Sequence, residues 1–155
     1  MLYDLLIVGG RIVDGTSRPG YWADIAVHSG LIADIGQLDS TQARRVIQAD
    51  GRVICPGFVD VHAHSDLVLF GEPRHEPKVR QGVTTEILGQ DGISYVPASP
   101  STQRIIHELS AAINGDSDAN WDWSTVAEYL HALDRHTSVN VTYLVPHMTV
   151  RIEVM

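Results

Sequence analysis

The chain has 155 residues, with 11 Lys and Arg against 19 Asp and Glu, a formal net charge of −8 and 44% hydrophobic residues. No apolar run approaches the roughly 18 residues that a bilayer crossing needs, and the N-terminal MLYDLLIVGG lacks the basic flank and cleavage site of a secretory signal, so neither membrane insertion nor secretion is expected. Cys55 is the only cysteine, which excludes an internal disulfide framework and points to a cytoplasmic protein, and with one lysine and scattered arginines there is no basic stripe for nucleic acid.

Residues 1–55 read as a β-rich segment. Short β-branched runs alternate with glycine turns, LLIVGG, RIVDG, ADIAVHSG, LIADIG, RRVIQADG and RVICPG, which predicts hairpin-connected strands. No helical periodicity interrupts them. Cys55, at the end of the last run, reads as a small buried hydrophobe.

The pattern changes at Pro56. Gly57 to His62 is a nearly continuous apolar run, as in a strand buried on both faces, and Gly82 to Gly89 reads as a second such strand. Ser101 can cap a helix whose apolar positions Ile105, Ile106, Leu109, Ala112 and Ile113 recur at helical spacing, and Asn114-Gly115 stops it. A further helix starts at Asp122 or Ser124 with Val126, Tyr129, Leu130 and Leu133 on one face, and Val139 to Val145 forms a third buried strand leading to Pro146-His147. Strands alternating with helices predict a parallel βα array that curls toward a barrel. A closed barrel needs about eight strands and on the order of 250 residues. The expected organisation is therefore α/β: a sandwich-like segment, 1–55, followed by a partial (β/α) barrel, 56–155, with the chain read as the N-terminal part of something longer.

The densest chemical signal is PGFVDVHAHSD. On a strand, residues two apart point to the same side, so His62 and His64 aim their imidazoles into one space, where neutral imidazole is a common zinc ligand. A bare His-x-His is more often two unrelated histidines; the buried strand and the Pro-Gly entry before it favour the pair. Asp60 lies deeper on the same strand, where hydrogen bonding is expected of it. Asp66 either orients a loop beside the histidines or caps a turn. Glu86, in mid-strand, needs a partner because a buried lone carboxylate is costly; an arginine is the expected one, and a histidine the other option. Asp91-Gly92, taken as a pattern, is a turn. His147 follows the third strand onto the same end of the array as His62 and His64. His28, His75, His107, His131 and His136 read as solvated, and Trp121, Trp123 and Tyr129 as core anchors. No Gly-x-Gly-x-x-Gly spacing supports a nucleotide.

PGFVDVHAHSD resembles the first-strand metal motif of the amidohydrolase superfamily. The runs DLLIVGGRIVDGTSRPGYWADIAVHSGLIADIG, QGVTTEILGQDGIS, WDWSTVAEYLHAL and VPHMTVRIEVM resemble its D-aminoacylase (N-acyl-D-amino-acid deacylase) group. The resemblance implies metal-dependent hydrolases on a (β/α)8 barrel with a small β-sandwich. It also implies a divalent metal, most readily one or two zinc ions, and an N-acyl amino acid as substrate. His62, His64 and Asp91 become the metal ligands. The group commonly has Gly-Asn-Cys-Gly where this chain has Gly89-Gln90-Asp91-Gly92, so Asp91 takes a cysteine ligand's place with a harder donor. Asp66, His147 and Arg151 become supporting or substrate-side residues, Arg151 being suited to a carboxylate.

The resemblance also implies that the remaining ligands and the acid/base aspartate lie on later barrel strands, beyond residue 155, so these 155 residues alone are expected to be catalytically incomplete. Two alternatives stand beside this reading. One is a non-enzymatic α/β assembly module, which would have to cover an open sheet edge and could form an oligomer through it. The other is a cyclic-amidase relative, hydantoinase-like or dihydroorotase-like; such enzymes usually place a lysine between two metals, and Lys78 precedes the second strand.

Overall fold

The computed structural model describes residues 2–155. The chain divides into two compact units, residues 1–56 and 57–155. No helix among the described residues is long and apolar enough to cross a membrane.

The first unit is built on β1 (Leu5–Ile12), β2 (Tyr21–His28), β3 (Leu31–Gly36), β4 (Val46–Gln48) and β5 (Val53–Ile54). The sheet order is β3-β2-β1-β4, with β5 also paired to β1. Ser29 and Gly30 both take positive φ, 51° and 77°, and close a two-residue hairpin between paired His28 and Leu31. β1 and β2 are likewise consecutive antiparallel neighbours, joined by residues 13–20, as the hairpin reading expects, but that reading fails for β4 and β5. LLIVGG and RI form one strand with an irregular register between Ile7 and Gly10, and β4 and β5 pair parallel to β1. Local turn residues do not reveal that the 37–45 segment carries the chain back to the start of β1, where Tyr3 bridges Ala43 in parallel. Gly9 must be glycine: its φ is +72°, and a Cβ would fall 2.1 Å from Asp50 Oδ1. Cys55 is exposed, not buried, because it lies just past the two-residue β5.

The second unit carries a parallel sheet, β6 (Phe58–Asp60), β7 (Val83–Leu88) and β8 (Asn140–Tyr143), in the order β6-β7-β8. Around it run α1 (Val68–Gly71), α2 (Glu76–Val79), α3 (Pro100–Asn114), α4 (Val126–Leu133) and α5 (His147–Val154). The strand alternation sends Glu86 and Leu88 to one face, where both are fully buried. Leu88 joins a core with Leu67, Leu69, Tyr95, Ile106, Trp123, Tyr129 and Leu133. The expectation of strands buried on both faces is corrected: Phe58, Val59 and Val61 are 53–65% exposed, and so are Leu144 and Val145 at 50% and 60%. Helices cover one face of this sheet, and hydrophobicity of the run does not say how many faces are covered.

The caps follow local chemistry. Ser99, rather than Ser101, caps α3, because Pro100 suits the first helical position and Ser99 Oγ accepts from Thr102 N. Thr125 opens α4 with a reciprocal capping box to Glu128. The stop at Asn114-Gly115 is as expected, with Gly115 at φ +78°. Of the apolar positions of α3, Ile106 is fully buried but Ile105, Leu109 and Ile113 are 44–64% exposed, and the rest of the buried face is polar: Thr102, Gln103, Ser110 and Asn114. The buried polar groups are satisfied, Gln103 Nε2 donating to Trp123 O at 2.8 Å and Ser110 Oγ to Ile106 O at 2.7 Å. A hydropathy pattern takes the apolar stripe as the inward one and misses a face made inward by hydrogen bonds.

Candidate metal centre

β6 ends at Asp60, so His62 and His64 sit on the loop that leaves its C-terminal end, not on the strand itself. They still converge, with ring centroids 5.2 Å apart. The adjacent strand β7 is followed by Gly89, at φ +77°, where a Cβ would fall 2.0 Å from Leu144 O; the chain then turns through Gln90–Gly92 with Asp91 itself left-handed at φ 56°. Gln90 is buried and donates its Nε2 to Val61 O and Ile87 O, at 2.8 and 2.9 Å, tying this turn to the β6 loop. The turn throws the Asp91 carboxylate toward the histidines. Its Oδ2 lies 3.4 Å from His62 Nε2 and 3.2 Å from His64 Nε2. One ligand atom from each of the three residues falls within 4.8 Å of the others.

Asp91 therefore makes the Asp-Gly turn and reaches the histidines as well. His62 and Asp91 are more than half exposed; His64 is mostly covered. Two nitrogens and one carboxylate oxygen converging from adjacent strand ends form a donor set that suits a borderline divalent ion such as zinc.

The other expected site residues fall as follows. Asp66 is fully buried; its Oδ1 accepts from Gly89 N at 3.3 Å and from Ser94 Oγ, so it joins the loop after β6 to the end of β7. Burial raises its carboxyl to about 6, against the lowering effect of those bonds. His147 and Arg151 lie at exposed positions of α5, a helix that no cap in the sequence announces, and His147 is not part of the three-residue cluster. Asn114 is a partner that the sequence does not disclose: fully buried, its Oδ1 lies 2.9 Å from His64 Nδ1. As a helix stop before glycine, it carries no signal of a second role.

A second constellation occupies β6, β7 and α2. Asp60 accepts from His62 N through Oδ1 and pairs through Oδ2 with Lys78 Nζ, which also lies 3.3 Å from Glu86 Oε1. The same Glu86 oxygen meets His75 Nε2 at 3.1 Å. Glu86 thus pairs with a lysine and a histidine, not with the expected arginine, and His75 is buried, not solvated. The register explains this, since Asp60 and Glu86 are direct neighbours on parallel strands and α2 brings Lys78 against both. The Lys78 bond holds the Asp60 carboxyl below its usual range, and the Asp60 bond raises Lys78.

A parallel βα array with a His/His/Asp cluster beyond its strand ends defines an α/β protein with a candidate divalent-metal centre. Comparison with known proteins narrows the class. The amidohydrolase family model Amidohydro_3 matches residues 45–155. D-aminoacylase of Alcaligenes xylosoxydans xylosoxydans is 37% identical over 155 residues, covering 99% of this chain and 31% of the relative. N-acyl-D-glutamate deacylase of the same organism is 37% identical over 153 residues, or 98% and 30%. The crystal structure of N-acyl-D-glutamate deacylase from Bordetella bronchiseptica, complexed with zinc and a phosphonate mimic of the tetrahedral intermediate, superposes with a TM-score of 0.82 at 34% identity; the match covers 100% of this chain and 32% of that one. A D-aminoacylase crystal structure gives 0.80 at 35% identity, covering 99% and 31%. The chain belongs to the amidohydrolase family, in its D-aminoacylase (N-acyl-D-amino-acid deacylase) group, and spans about 31% of the length of the curated relatives it matches.

Proposed function

We propose that this chain forms part of a metal-dependent amide hydrolase acting on N-acyl-D-amino acids, with His62, His64 and Asp91 as its share of the metal ligands. The observation that carries the proposal is the convergence of the His62, His64 and Asp91 ligand atoms within 4.8 Å beyond adjacent strand ends. A bound divalent ion supplies Lewis-acid polarisation of the amide carbonyl and lowers the pKa of water. The chain's own side chains supply the donors and the framework that holds them. His62 and His64 turn their Nε2 atoms toward the Asp91 carboxylate, so the three side chains would supply two nitrogen donors and one oxygen donor to an ion held between them. Gln90 and Asp66 hold the two ligand-bearing loops against each other. The carboxylate and imidazole donors are borderline to hard, so zinc is accommodated and harder divalent ions compete.

The cyclic-amidase reading loses its main residue. Lys78 is engaged by Asp60 and Glu86, two carboxylates that are not among the three residues of the His/His/Asp cluster. His147 and Arg151, exposed on α5, are proposed for the substrate side, where Arg151 suits the amino-acid carboxylate. The acid/base aspartate is proposed to lie outside these 155 residues.

The test is metal content by mass spectrometry, on the wild type and on a His62→Ala/His64→Ala double variant, with N-acyl-D-amino-acid hydrolysis assayed in parallel. Stoichiometric transition metal lost in the double variant is the expected result. A wild type that holds no metal under replete conditions would sink the proposal for this chain.

A further inference from the structure

The two histidines of the cluster are held by different means. His64 has a buried side chain behind its ring, with Asn114 Oδ1 2.9 Å from its Nδ1. Among the described residues the His62 ring meets only Asp91 and the His64 ring, and its side chain is 57% exposed. Where the His62 imidazole points therefore depends on its main chain.

That main chain is tied at three consecutive residues. Val61 O accepts from Gln90 Nε2 at 2.8 Å, His62 N donates to Asp60 Oδ1 at 3.1 Å, and Ala63 N donates to Ile87 O at 3.3 Å. The outer two ties reach β7 and the turn after it. The middle one depends on the rotation of a single side chain, Asp60, at the end of β6. That rotation is set from the other side of the carboxylate. Asp60 Oδ2 pairs with Lys78 Nζ, which also lies 3.3 Å from Oε1 of the fully buried Glu86, the direct neighbour of Asp60 in the parallel register. The ammonium takes one oxygen from each carboxylate and leaves the second Asp60 oxygen for the His62 amide. Without the cation the two carboxylates would repel across one ladder position, and Asp60 would lose the contact that fixes it.

We infer that Asp60 and Lys78 are positioning residues of the metal centre: Lys78 sets the Asp60 carboxylate, and Asp60 holds the His62 main chain so that the imidazole faces Asp91. This rests on the reading of His62 as a metal ligand, and it gives the closed ion-pair constellation a task in the open cluster. Losing a group that orients a metal ligand typically lowers metal affinity about 10–100-fold.

The test uses the full chain and Co(II), with affinities read by calorimetric titration at a temperature where circular dichroism shows each variant folded. Lys78→Met should weaken Co(II) binding about 10-fold. The sign is decisive, because deleting a cation would by charge alone strengthen the binding of another cation. Asp60→Asn should weaken binding by about the same factor, since an amide has one oxygen to offer two donors, the ammonium and the His62 N–H. Thr125→Ala, which loses stability at the α4 cap instead, should bind as the wild type does. Unchanged or tighter binding in Lys78→Met or Asp60→Asn overturns the inference, and so does a weakening that follows lost stability in all three variants. Hydrogen exchange of the wild type gives a test that needs no variant to fold: the His62 amide should exchange at least about 10-fold more slowly than an unprotected amide, and an unprotected one overturns the inference. A wild type that binds no Co(II) fails the metal reading itself, whereas one that binds it no better than Lys78→Met fails this inference alone.

Discussion

The same residue types make two constellations on neighbouring strands, and they are solved in opposite ways. Asp60, Glu86 and His75 close around Lys78, a cation the chain itself supplies, with Glu86 fully buried. His62, His64 and Asp91 converge with no lysine or arginine paired to them among the described residues, and His62 and Asp91 are more than half exposed. A buried carboxylate is tolerated when its counter-charge is built in, and removing one partner of a buried pair is costly because the other stays behind. The open cluster has no such dependence. The difference teaches where to look for stability and where for ligand binding.

The largest effect expected from breaking this comparison is at Lys78. Lys78→Met leaves Glu86 with His75 alone and should cost about 2–3 kcal/mol, less than a fully buried pair because the ammonium is partly solvated. Urea unfolding measures it; a loss below about 0.5 kcal/mol would mean that the closed constellation is not what holds this region. Next comes Asp91→Ala, which should lower Co(II) affinity at least about 100-fold, while an exposed side chain removed from a turn leaves stability within about 0.5 kcal/mol. Calorimetric titration and the same urea curve read both halves. Equal losses of stability in Lys78→Met and Asp91→Ala would erase the distinction.

A smaller effect sharpens it. Thr125→Ala removes the α4 cap and should cost about 1 kcal/mol without changing metal affinity, since stability lost far from the cluster should not reach it. The smallest concerns pH. Glu128 is held down to about 2 by the backbone N–H groups of Ser124 and Thr125. Its folded value lies below the ordinary 4.5 of a glutamate, so its contribution is present above that pH and fades as pH falls through about 2. Thermal midpoints of wild type and Glu128→Gln should therefore converge on acidification between those values, and parallel curves would show that the box does not carry the difference.

Several local features were legible in the chain. The Asn114-Gly115 stop, the apolar face of α4, the three strands of the second unit and the convergence of His62 with His64 all depend on neighbours a few residues away in sequence. Legibility ended where the deciding partner was distant. Glu86 finds Lys78 and His75, and His75 is buried by that meeting. The β4 and β5 runs pair parallel to β1 although their turn residues look like hairpins. Apart from Ile106, the inward face of α3 is polar, because Gln103, Ser110 and Asn114 are satisfied by groups from other parts of the chain or the preceding turn.

By itself the sequence determined the kind of donors available, the alternation of strand and helix, and the His-x-His spacing, because these follow from side-chain chemistry and short-range backbone geometry. The tertiary structure alone decided which carboxylate meets a lysine and which meets the histidines, and that a buried asparagine at a helix end faces His64. The reason is physical: charge compensation and hydrogen-bond satisfaction depend on which groups lie a few ångströms apart, and parallel strands bring together residues that lie tens of positions apart in the chain.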